Sequence, residues 1–340
     1  MSQAGDIDIH AHVVPGPLLE SVEEGQFPGL ELDGTSLVYG QSRLGPIAPA
    51  MVSSSQRISW LDSEGIGQQW VSPWLDLFTW ATFPDGERRK WVGAVNSALG
   101  EMVETSGGRL RPVPFLDISA GGKAALEETN ILMSRVEAPA VMVSSAPPGP
   151  PLASESYFPF WEEIAREQIT VMLHPPVNGP SCAFTSPVAQ NVSGRVIDAS
   201  TAVVELMVAG VFDRIPDLQV IVVHGGGFLP YQSFRLDGLL RAGLRDKTAM
   251  TSSPGEILRR LWFDTVALDP MSIELLVRRV GADRVMLGSD CPFQIGDPHP
   301  GATVREADLP PDAHDAICFA NATRLSERRR PSSSGKRCDS

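Results

Sequence analysis

Short apolar runs recur along the chain, and most of them are separated by longer segments in which apolar residues follow helical spacing. Parallel strands that are covered on both faces read as continuous apolar runs, whereas half-exposed strands alternate polar and apolar residues. We therefore predict a strand at each of eight such runs. These runs are residues 7–14, 67–72, 111–116, 140–144, 170–174, 219–224, 261–266 and 284–288.

The segments between these runs predict helices. Apolar side chains lie at helical intervals in residues 87–104, 199–212, 271–280 and 311–325. Strands that alternate with helices form a parallel sheet with right-handed crossovers, and eight such units form a (β/α)8 barrel, also called a TIM barrel. We predict this α/β fold over residues 1–325. The competing doubly wound sheet of the dinucleotide-binding type lacks support, because no GxGxxG sequence follows the first strand.

Two segments fall outside the repeating pattern of strands and helices. Residues from 25 to about 52 are rich in Gly, Ser and Pro and contain short β-like runs at 30–32 and 36–39. We predict that they form a small inserted β lobe after strand 1, near the mouth of the barrel. Residues 326–340 are polar and basic with little helical pattern, which predicts a disordered tail.

The composition narrows the classes of function. Hydrophobic residues make up 42% of the 340 residues, yet no run reaches the ~18–20 consecutive apolar residues of a membrane span. The formal net charge of -13 argues against nucleic acid as a partner, because its phosphates attract basic surfaces. Four cysteines without a CxxC pair, and a start with no basic or apolar segment, predict a cytoplasmic protein.

Histidines are concentrated at the ends of the predicted strands. His10 and His12 close strand one, His174 closes strand five, His224 closes strand six, and Asp290 follows strand eight. The carboxyl ends of barrel strands converge on the catalytic face, so these side chains can meet around one point. Residues i and i+2 of a strand face the same side, which directs His10 and His12 together. The sequence therefore predicts a metal site at this face.

The ligand types favour zinc. Imidazole and carboxylate ligands without thiolates suit Zn²⁺, and Mn, Co, Fe or Ni are less favoured alternatives. The predicted fourth strand ends in AVMVSSAPPG and contains no lysine, so a binuclear centre bridged by a carbamylated lysine is not supported. We therefore expect one metal ion per chain.

The motifs around these residues resemble a known family. The segments DIDIHAHVVP, RISWLDSEGI, VVHGGGFLPYQSFRLDG, DRVMLGSDCPF and AICFANATRL are similar to those of the amidohydrolase superfamily, and within it to α-amino-β-carboxymuconate-ε-semialdehyde decarboxylase and related decarboxylases. The resemblance extends from about residue 6 to residue 325. It implies a zinc-dependent, non-oxidative decarboxylase of a conjugated carboxylic acid, such as an amino- or hydroxy-carboxymuconate semialdehyde, in the catabolism of aromatic compounds.

The resemblance also assigns roles to residues. By it, His10, His12, His174 and Asp290 would ligate the zinc ion and His224 would be the catalytic acid/base. Arg43 in the inserted lobe and Arg235, which lies eleven residues after His224, would hold carboxylates of a small-molecule substrate. In the family the second arginine is contributed across a dimer interface, which implies a homodimer.

Aromatic residues and departures from the family pattern bear on the substrate. Phe78, Trp80 and Phe293 are candidates to wall a pocket for a flat conjugated acid, although core packing explains each equally well. Pro176 and Cys291 stand where close semialdehyde decarboxylases commonly have aromatic residues, and residues 177–184 do not follow their pattern. A substrate that is an ortho-hydroxylated aromatic or heteroaromatic acid therefore stays open.

Two further interpretations stay open at the level of the reaction. A hydrolase that cleaves a C–N or C–C bond would use the same metal site, and the ligands alone do not separate it from a decarboxylase. A metal-stabilised barrel that only binds a ligand is the non-enzymatic alternative, but it would have no need of His224 beside the metal. The spacing from the HGGG sequence to Arg235, together with Arg43, favours the decarboxylase.

Overall fold

The computed structural model describes residues 5–79, 83–133, 137–176, 179, 184–243 and 248–328. Strands occur at all eight predicted runs, and three more form the inserted lobe. In chain order the strands are β1 Asp6–Val13, β2 Leu30–Asp33, β3 Ser36–Tyr39, β4 Ser42–Leu44, β5 Ile66–Pro73, β6 Leu110–Pro112, β7 Val141–Ser144, β8 Thr170–His174, β9 Gln219–Val222, β10 Trp262–Asp264 and β11 Val285–Met286.

Helices follow or flank these strands. They are α1 Gly16–Glu23, α2 Pro49–Val52, α3 Ser54–Ser63, α4 Asp85–Glu104, α5 Gly122–Met133, α6 Phe158–Arg166, α7 Pro187–Ala189, α8 Arg195–Val208, α9 Val211–Arg214, α10 Leu229–Arg241, α11 Pro254–Leu258, α12 Pro270–Val280, α13 Pro300–Glu306, α14 Pro311–Asp315 and α15 Asn321–Glu327. No helix in the described part of the chain is both long and apolar enough to cross a membrane.

The parallel strands close into a barrel in chain order. One sheet has the order β1-β5-β6 and another the order β11-β10-β9-β8-β7. A parallel bridge between Phe115 and Met142 joins β6 to β7, and the amide of Leu116 donates to the carbonyl of Met142 at 2.9 Å. A second bridge, Ala11 to Cys291, returns the chain after β11 to β1. These two junctions close the ring, and the predicted (β/α)8 barrel is confirmed.

The two faces of the strands pack into different layers. Val171 and Leu173 of β8 share a hydrophobic cluster with Ile164 of α6 and Leu206 of α8. Met172, which lies between them in sequence, belongs to another cluster that includes Met142 of β7, Ile221 of β9 and Met286 of β11. Successive side chains of a strand point to opposite faces, so the apolar runs supply both a helix-facing layer and the interior of the barrel.

The inserted lobe is an antiparallel sheet of β2, β3 and β4. Leu30, Leu37 and Leu44, one from each strand, are buried. The lobe lies between β1 and β5 in the chain, as the sequence predicts, and its buried leucines join the cluster that contains Ile9 of β1.

Several predicted elements are shorter or interrupted in the structure. The helix expected over residues 199–212 breaks into α8 and α9, because Gly210 adopts a left-handed φ of 73° and a Cβ there would lie 2.8 Å from the carbonyl oxygen of Ala249. The third barrel strand ends at Pro112, since Pro112 and Pro114 lack the N–H that a ladder needs. The last helical segment contains a π-helical turn over residues 316–320.

Asn96 of α4 compensates for the interrupted third strand. Its side chain donates to the carbonyl of Phe115 at 2.8 Å and accepts from the amide of Phe115 at 2.9 Å. We predict that Asn96→Ala lowers the free energy of unfolding by about 1–3 kcal/mol, because both buried backbone groups lose their partner. Urea denaturation would measure this. Asn130→Ala, on the exposed face of α5, is the control and should stay within about 0.5 kcal/mol; equal effects of the two substitutions would contradict the interpretation.

Candidate metal centre

Strand β1 supplies two of the candidate ligands. Asp8, His10 and His12 alternate with apolar residues along β1, so all three point to the same side, and all three are fully buried. The Nε2 atoms of His10 and His12 lie 3.1 Å apart. Both rings therefore direct a nitrogen towards the same point inside the rim of the barrel.

His174 and Asp290 complete the cluster from other strands. His174 is the last residue of β8, and Asp290 follows β11 with a positive φ of 58°. Oδ1 of Asp290 lies 3.2 Å from Nε2 of His12 and 3.6 Å from Nε2 of His10. The ligand atoms of His10, His12, His174 and Asp290 all lie within 4.8 Å of one another. The structure thus brings together the four side chains predicted as ligands.

The free nitrogen of His174 tests whether a cation fits this cluster. Its Nδ1–H donates to the carbonyl of Pro175 at 3.0 Å, whereas its buried Nε2 has no hydrogen-bond partner among the described residues. Burial, reinforced by the neighbouring histidines, lowers the pKa of His174 well below its usual value, so the ring is neutral and Nε2 carries a lone pair. Three imidazoles and a carboxylate match the ligand preferences of zinc and similar divalent ions. The residues present therefore fit such an ion.

Asp264 at the end of β10 holds the rim in place. Its Oδ2 accepts a hydrogen bond from Nδ1 of His10 at 2.6 Å and another from the amide of His224 at 3.0 Å. Its Oδ1 accepts from the amides of Gly225 at 2.7 Å and Val266 at 3.1 Å. A carboxylate bonded to the distal nitrogen fixes the tautomer of a metal-ligating histidine and raises its basicity. Asp264 therefore orients a ligand and the His224 backbone together.

Arg57 supports the other side of the cluster. This buried arginine of α3 donates from Nη2 to the carbonyl of His12 at 2.6 Å and from Nη1 to Oε1 of Gln69 at 2.9 Å. Gln69 donates in turn to Oδ2 of Asp8 at 2.6 Å, and Asp8 accepts from the amides of His10 and Ser289. The chain of bonds ties β1 to the segment that carries Asp290. The sequence analysis missed this role, although Arg57 lies in the quoted RISWLDSEGI motif.

His224 lies beside the cluster. It follows β9 with a positive φ of 57°, and its Nε2 is 3.9 Å from Oδ2 of Asp290. Burial lowers the pKa of His224 to about 4, and the nearby Asp290 carboxylate opposes that shift only in part. The ring is therefore neutral near pH 7 and can accept a proton.

A pocket of about 460 Å³ opens directly on these groups. His174, His224 and Asp290 line it together with the aromatic residues Trp74 and Phe293. The Phe293 ring centroid lies 5.3 Å from that of His12. The structure thus places Phe293 in the pocket wall, where the sequence analysis expected it.

Phe78 does not line this pocket. Phe78 is buried and stacks on Phe115 with ring centroids 3.9 Å apart, so it belongs to the core. Trp80 lies outside the described residues, as does the tail beyond residue 328.

Neither predicted substrate-binding arginine lines the pocket of its own chain. Arg43 has a side chain that is 54% exposed, and it is paired with Asp33 across the inserted lobe. Arg235 is exposed on α10, one turn after Tyr231, which does line the pocket. Arg195, which the sequence analysis missed, lines the pocket instead and donates to Oδ2 of Asp76 at 3.2 Å.

The comparisons with known sequences agree with this geometry. A family model described as amidohydrolase matches residues 7–325. The 2-amino-3-carboxymuconate-6-semialdehyde decarboxylase of Dictyostelium discoideum is 26% identical over 184 residues, which cover 54% of this chain and 51% of that protein. The 6-methylsalicylic acid decarboxylase of Penicillium expansum is 25% identical over 142 residues, which cover 42% of this chain and 44% of that protein. The chain spans about half the length of the curated relatives it matches.

A solved structure agrees over almost the full length. The dihydroxybenzoic acid decarboxylase of Polaromonas sp. JS666, crystallised with manganese and the inhibitor 2-nitroresorcinol, matches with a TM-score of 0.76 at 18% identity. The match covers 97% of this chain and 98% of that one. This likeness supports the barrel fold.

The cluster predicts how metal content responds to substitution. We expect the purified protein to bind about one divalent ion per chain, and His174→Ala to lower that content strongly because one of four ligands is lost. Elemental analysis after dialysis against the metal and then against buffer measures it. His299→Ala is the control, because His299 is exposed and pairs with Glu64 away from the cluster. Full metal content in His174→Ala would rule out its role as a ligand.

Proposed function

The chain belongs to the amidohydrolase family, and from that premise we propose that it is a metal-dependent decarboxylase that releases CO2 from a conjugated or hydroxylated aromatic carboxylic acid. The observation that carries the proposal is the cluster of His10, His12, His174 and Asp290, which opens on a pocket with His224 at its edge. The names of the curated relatives support the reaction type. Zinc is the metal we propose, and manganese, cobalt or iron are the alternatives; the manganese in the Polaromonas enzyme keeps that choice open.

The proposed metal ion would be held by the four clustered side chains. Held by the three histidines and Asp290, a divalent ion would supply Lewis acidity at the pocket floor. Burial lowers the pKa of His12 and His174, and the surrounding histidines lower that of Asp290 against the effect of its own burial. The pKa of His10 is raised instead, because its hydrogen bond to Asp264 and the nearby carboxylates outweigh its burial.

The reaction needs a proton at the carbon that bears the carboxylate. When the proton bonds to that carbon and the C–C bond to the carboxylate breaks, CO2 leaves and the electron pair of the broken bond restores the conjugated system. His224 is placed to hold this proton on a ring nitrogen. The ring is neutral near pH 7 because burial lowers its pKa to about 4, so in this proposal it accepts a proton and passes it to that carbon as a general acid/base.

The pocket walls favour loss of the carboxylate charge. Trp74, Phe293 and Val266 contribute apolar surface to the pocket that His224 lines. A carboxylate is poorly solvated there, whereas neutral CO2 has little need of water. Closing such a site to water therefore assists the step in which the negative charge leaves the carboxylate. The flat aromatic walls also suit a flat, conjugated acid.

Two substrate classes fit the proposal. The first is an amino- or hydroxy-carboxymuconate semialdehyde, and the second is an ortho-hydroxylated aromatic or heteroaromatic acid; the names of the Dictyostelium and Penicillium relatives support one each. Either would place the enzyme in the catabolism of aromatic compounds. Hydrolysis of a C–N or C–C bond is the less supported reaction at the same site, and the cysteine content keeps the cytoplasm as the predicted location.

We also propose that two copies of the chain pair through α10. Arg235 is exposed on this helix and has no ion-pair partner among the described residues, and its neighbour Phe234 is 54% exposed. Tyr231 and Leu239 extend the exposed apolar strip along the same helix. An exposed apolar strip of this kind suits packing against a second copy of the chain. In such a dimer, Arg235 of one copy would lie near the pocket of the other.

The dimer is testable at this strip. We predict that the protein sediments as a dimer and that Phe234→Glu shifts it towards a monomer, because a charge replaces an apolar contact. Analytical ultracentrifugation at micromolar concentration measures this. Met271→Glu is the control, since Met271 is an exposed apolar residue on α12 rather than α10. A wild-type protein that sediments as a monomer would contradict the proposal.

The reaction is testable by CO2 release. Metal-loaded protein should release CO2 from at least one member of a panel of carboxymuconate semialdehydes and hydroxylated aromatic acids, and not hydrolyse esters, lactones or amides at a comparable rate. His224→Asn should reduce turnover by about 10²–10⁴-fold, because the proton donor is lost, while the metal content stays unchanged. Hydrolysis without CO2 release would overturn the proposed reaction, and wild-type turnover in His224→Asn would remove His224 from it.

A further inference from the structure

Arg195 is the one arginine or lysine among the described residues that line the metal pocket. It lies at the start of α8, directly after a π-helical turn over residues 190–194. Asn191 lies four residues earlier and lines the same pocket, as expected for positions that share a helix face. Single π-helical turns occur frequently at functional sites, where they redirect side chains.

A buried carboxylate holds the Arg195 side chain. Nη2 of Arg195 donates to Oδ2 of Asp76 at 3.2 Å, and Asp76 is buried in the short helix Leu75–Phe78 that follows β5. Burial raises the pKa of Asp76, and the positive charge of Arg195 opposes that shift. The pair therefore fixes the direction of the guanidinium.

The rest of the guanidinium is available to a ligand. An arginine has five N–H donors, and in the described part of the chain only Asp76 accepts a hydrogen bond from Arg195. The side chain is 16% exposed, and it lines the pocket. Its charge also reaches the site: after burial and the effects of nearby charged groups, it contributes to the lowered pKa of both His174 and His224.

We infer that Arg195, oriented by Asp76, binds a carboxylate of the substrate in the pocket of its own chain. This inference rests on the proposed function, because it names the group that recognises the acid. A planar guanidinium matches the two oxygens of a carboxylate, and such charge-assisted bonds are stronger than neutral ones. Arg43 is paired with Asp33, Arg235 is exposed, and neither is among the residues that line this pocket, so neither is placed for this role within one chain.

If Arg195 binds the carboxylate, the pocket should prefer an acid to its neutral analogue. Without Arg195, the carboxylate of a substrate would enter a pocket that already holds the Asp290 carboxylate and apolar walls. A neutral carboxamide of the same shape gains little from the guanidinium. Arg195 therefore acts mainly in binding: its loss should raise KM far more than it lowers kcat.

The test measures binding of two probes to the metal-loaded protein by titration calorimetry, namely 2-hydroxybenzoate and its carboxamide, 2-hydroxybenzamide. The wild type should prefer the acid. Arg195→Met should weaken acid binding by about 10- to 100-fold, the loss expected for charged hydrogen bonds, and leave amide binding unchanged. Arg195→Lys keeps the positive charge but lacks the planar guanidinium. Its affinity for the acid should therefore lie between those of the wild type and Arg195→Met.

Two further variants separate binding from folding. Arg166→Met is the matched control. Arg166 is exposed on α6, where it pairs with Glu163, whereas Arg195 lies on α8. It should bind both probes like the wild type. The double variant Asp76→Asn with Arg195→Met removes both charges of the buried pair, so it avoids an unpaired buried carboxylate and should still lose the preference for the acid.

The outcomes are distinct from those of the proposed reaction. An unchanged preference for the acid in Arg195→Met, or no preference in the wild type, would overturn the role of Arg195 even if CO2 is released. A preference that depends on Arg195 in a protein that releases no CO2 from any acid would support the binding role and contradict the decarboxylase.

Discussion

The constraint on which this site depends is the parallel direction of the barrel strands. All strands end at the same rim, so residues that are distant in sequence, from His10 to Asp290, meet within 4.8 Å. The rim is buried, and burial holds His12 and His174 neutral through their lowered pKa values. Neutral imidazoles beside an ionised carboxylate form a site for a cation, whereas a protonated set would repel one. Barrel geometry and burial together therefore create the metal-binding chemistry.

The polar groups behind the ligands connect the metal site to His224. Asp264 accepts from Nδ1 of His10 and from the backbone amide of His224, so the same carboxylate positions a ligand and the residue that we propose as the proton donor. Arg57 helps to position His12 by donating a hydrogen bond to its backbone carbonyl. Buried ionic groups are unfavourable for folding unless they are well paired, and an ion that binds only the folded state offsets that through mass action. We expect the apo protein to be the less stable form for this reason.

The sequence contains the ligands in recognisable form, because each stands at the end of an apolar run and the barrel order follows from the alternation of strands and helices. His10, His12, His174 and Asp290 could therefore be placed before the structure. Arg195 and Asp76 could not, because Arg195 directly follows a π-helical turn and Asp76 lies in a short helix, and no hydrophobic period marks either segment. Arg43 illustrates the opposite case: a family resemblance points to the pocket, but its pairing with Asp33 depends on the fold of the lobe.

Anomalous X-ray diffraction from crystals loaded with zinc, recorded above and below the metal absorption edge, tests the central claim most directly. We expect a single strong anomalous peak per chain, from a zinc ion bound by a ring nitrogen of each of His10, His12 and His174 and by an oxygen of Asp290. The absence of a peak at this cluster under saturating zinc, or a peak held by other side chains, would contradict it.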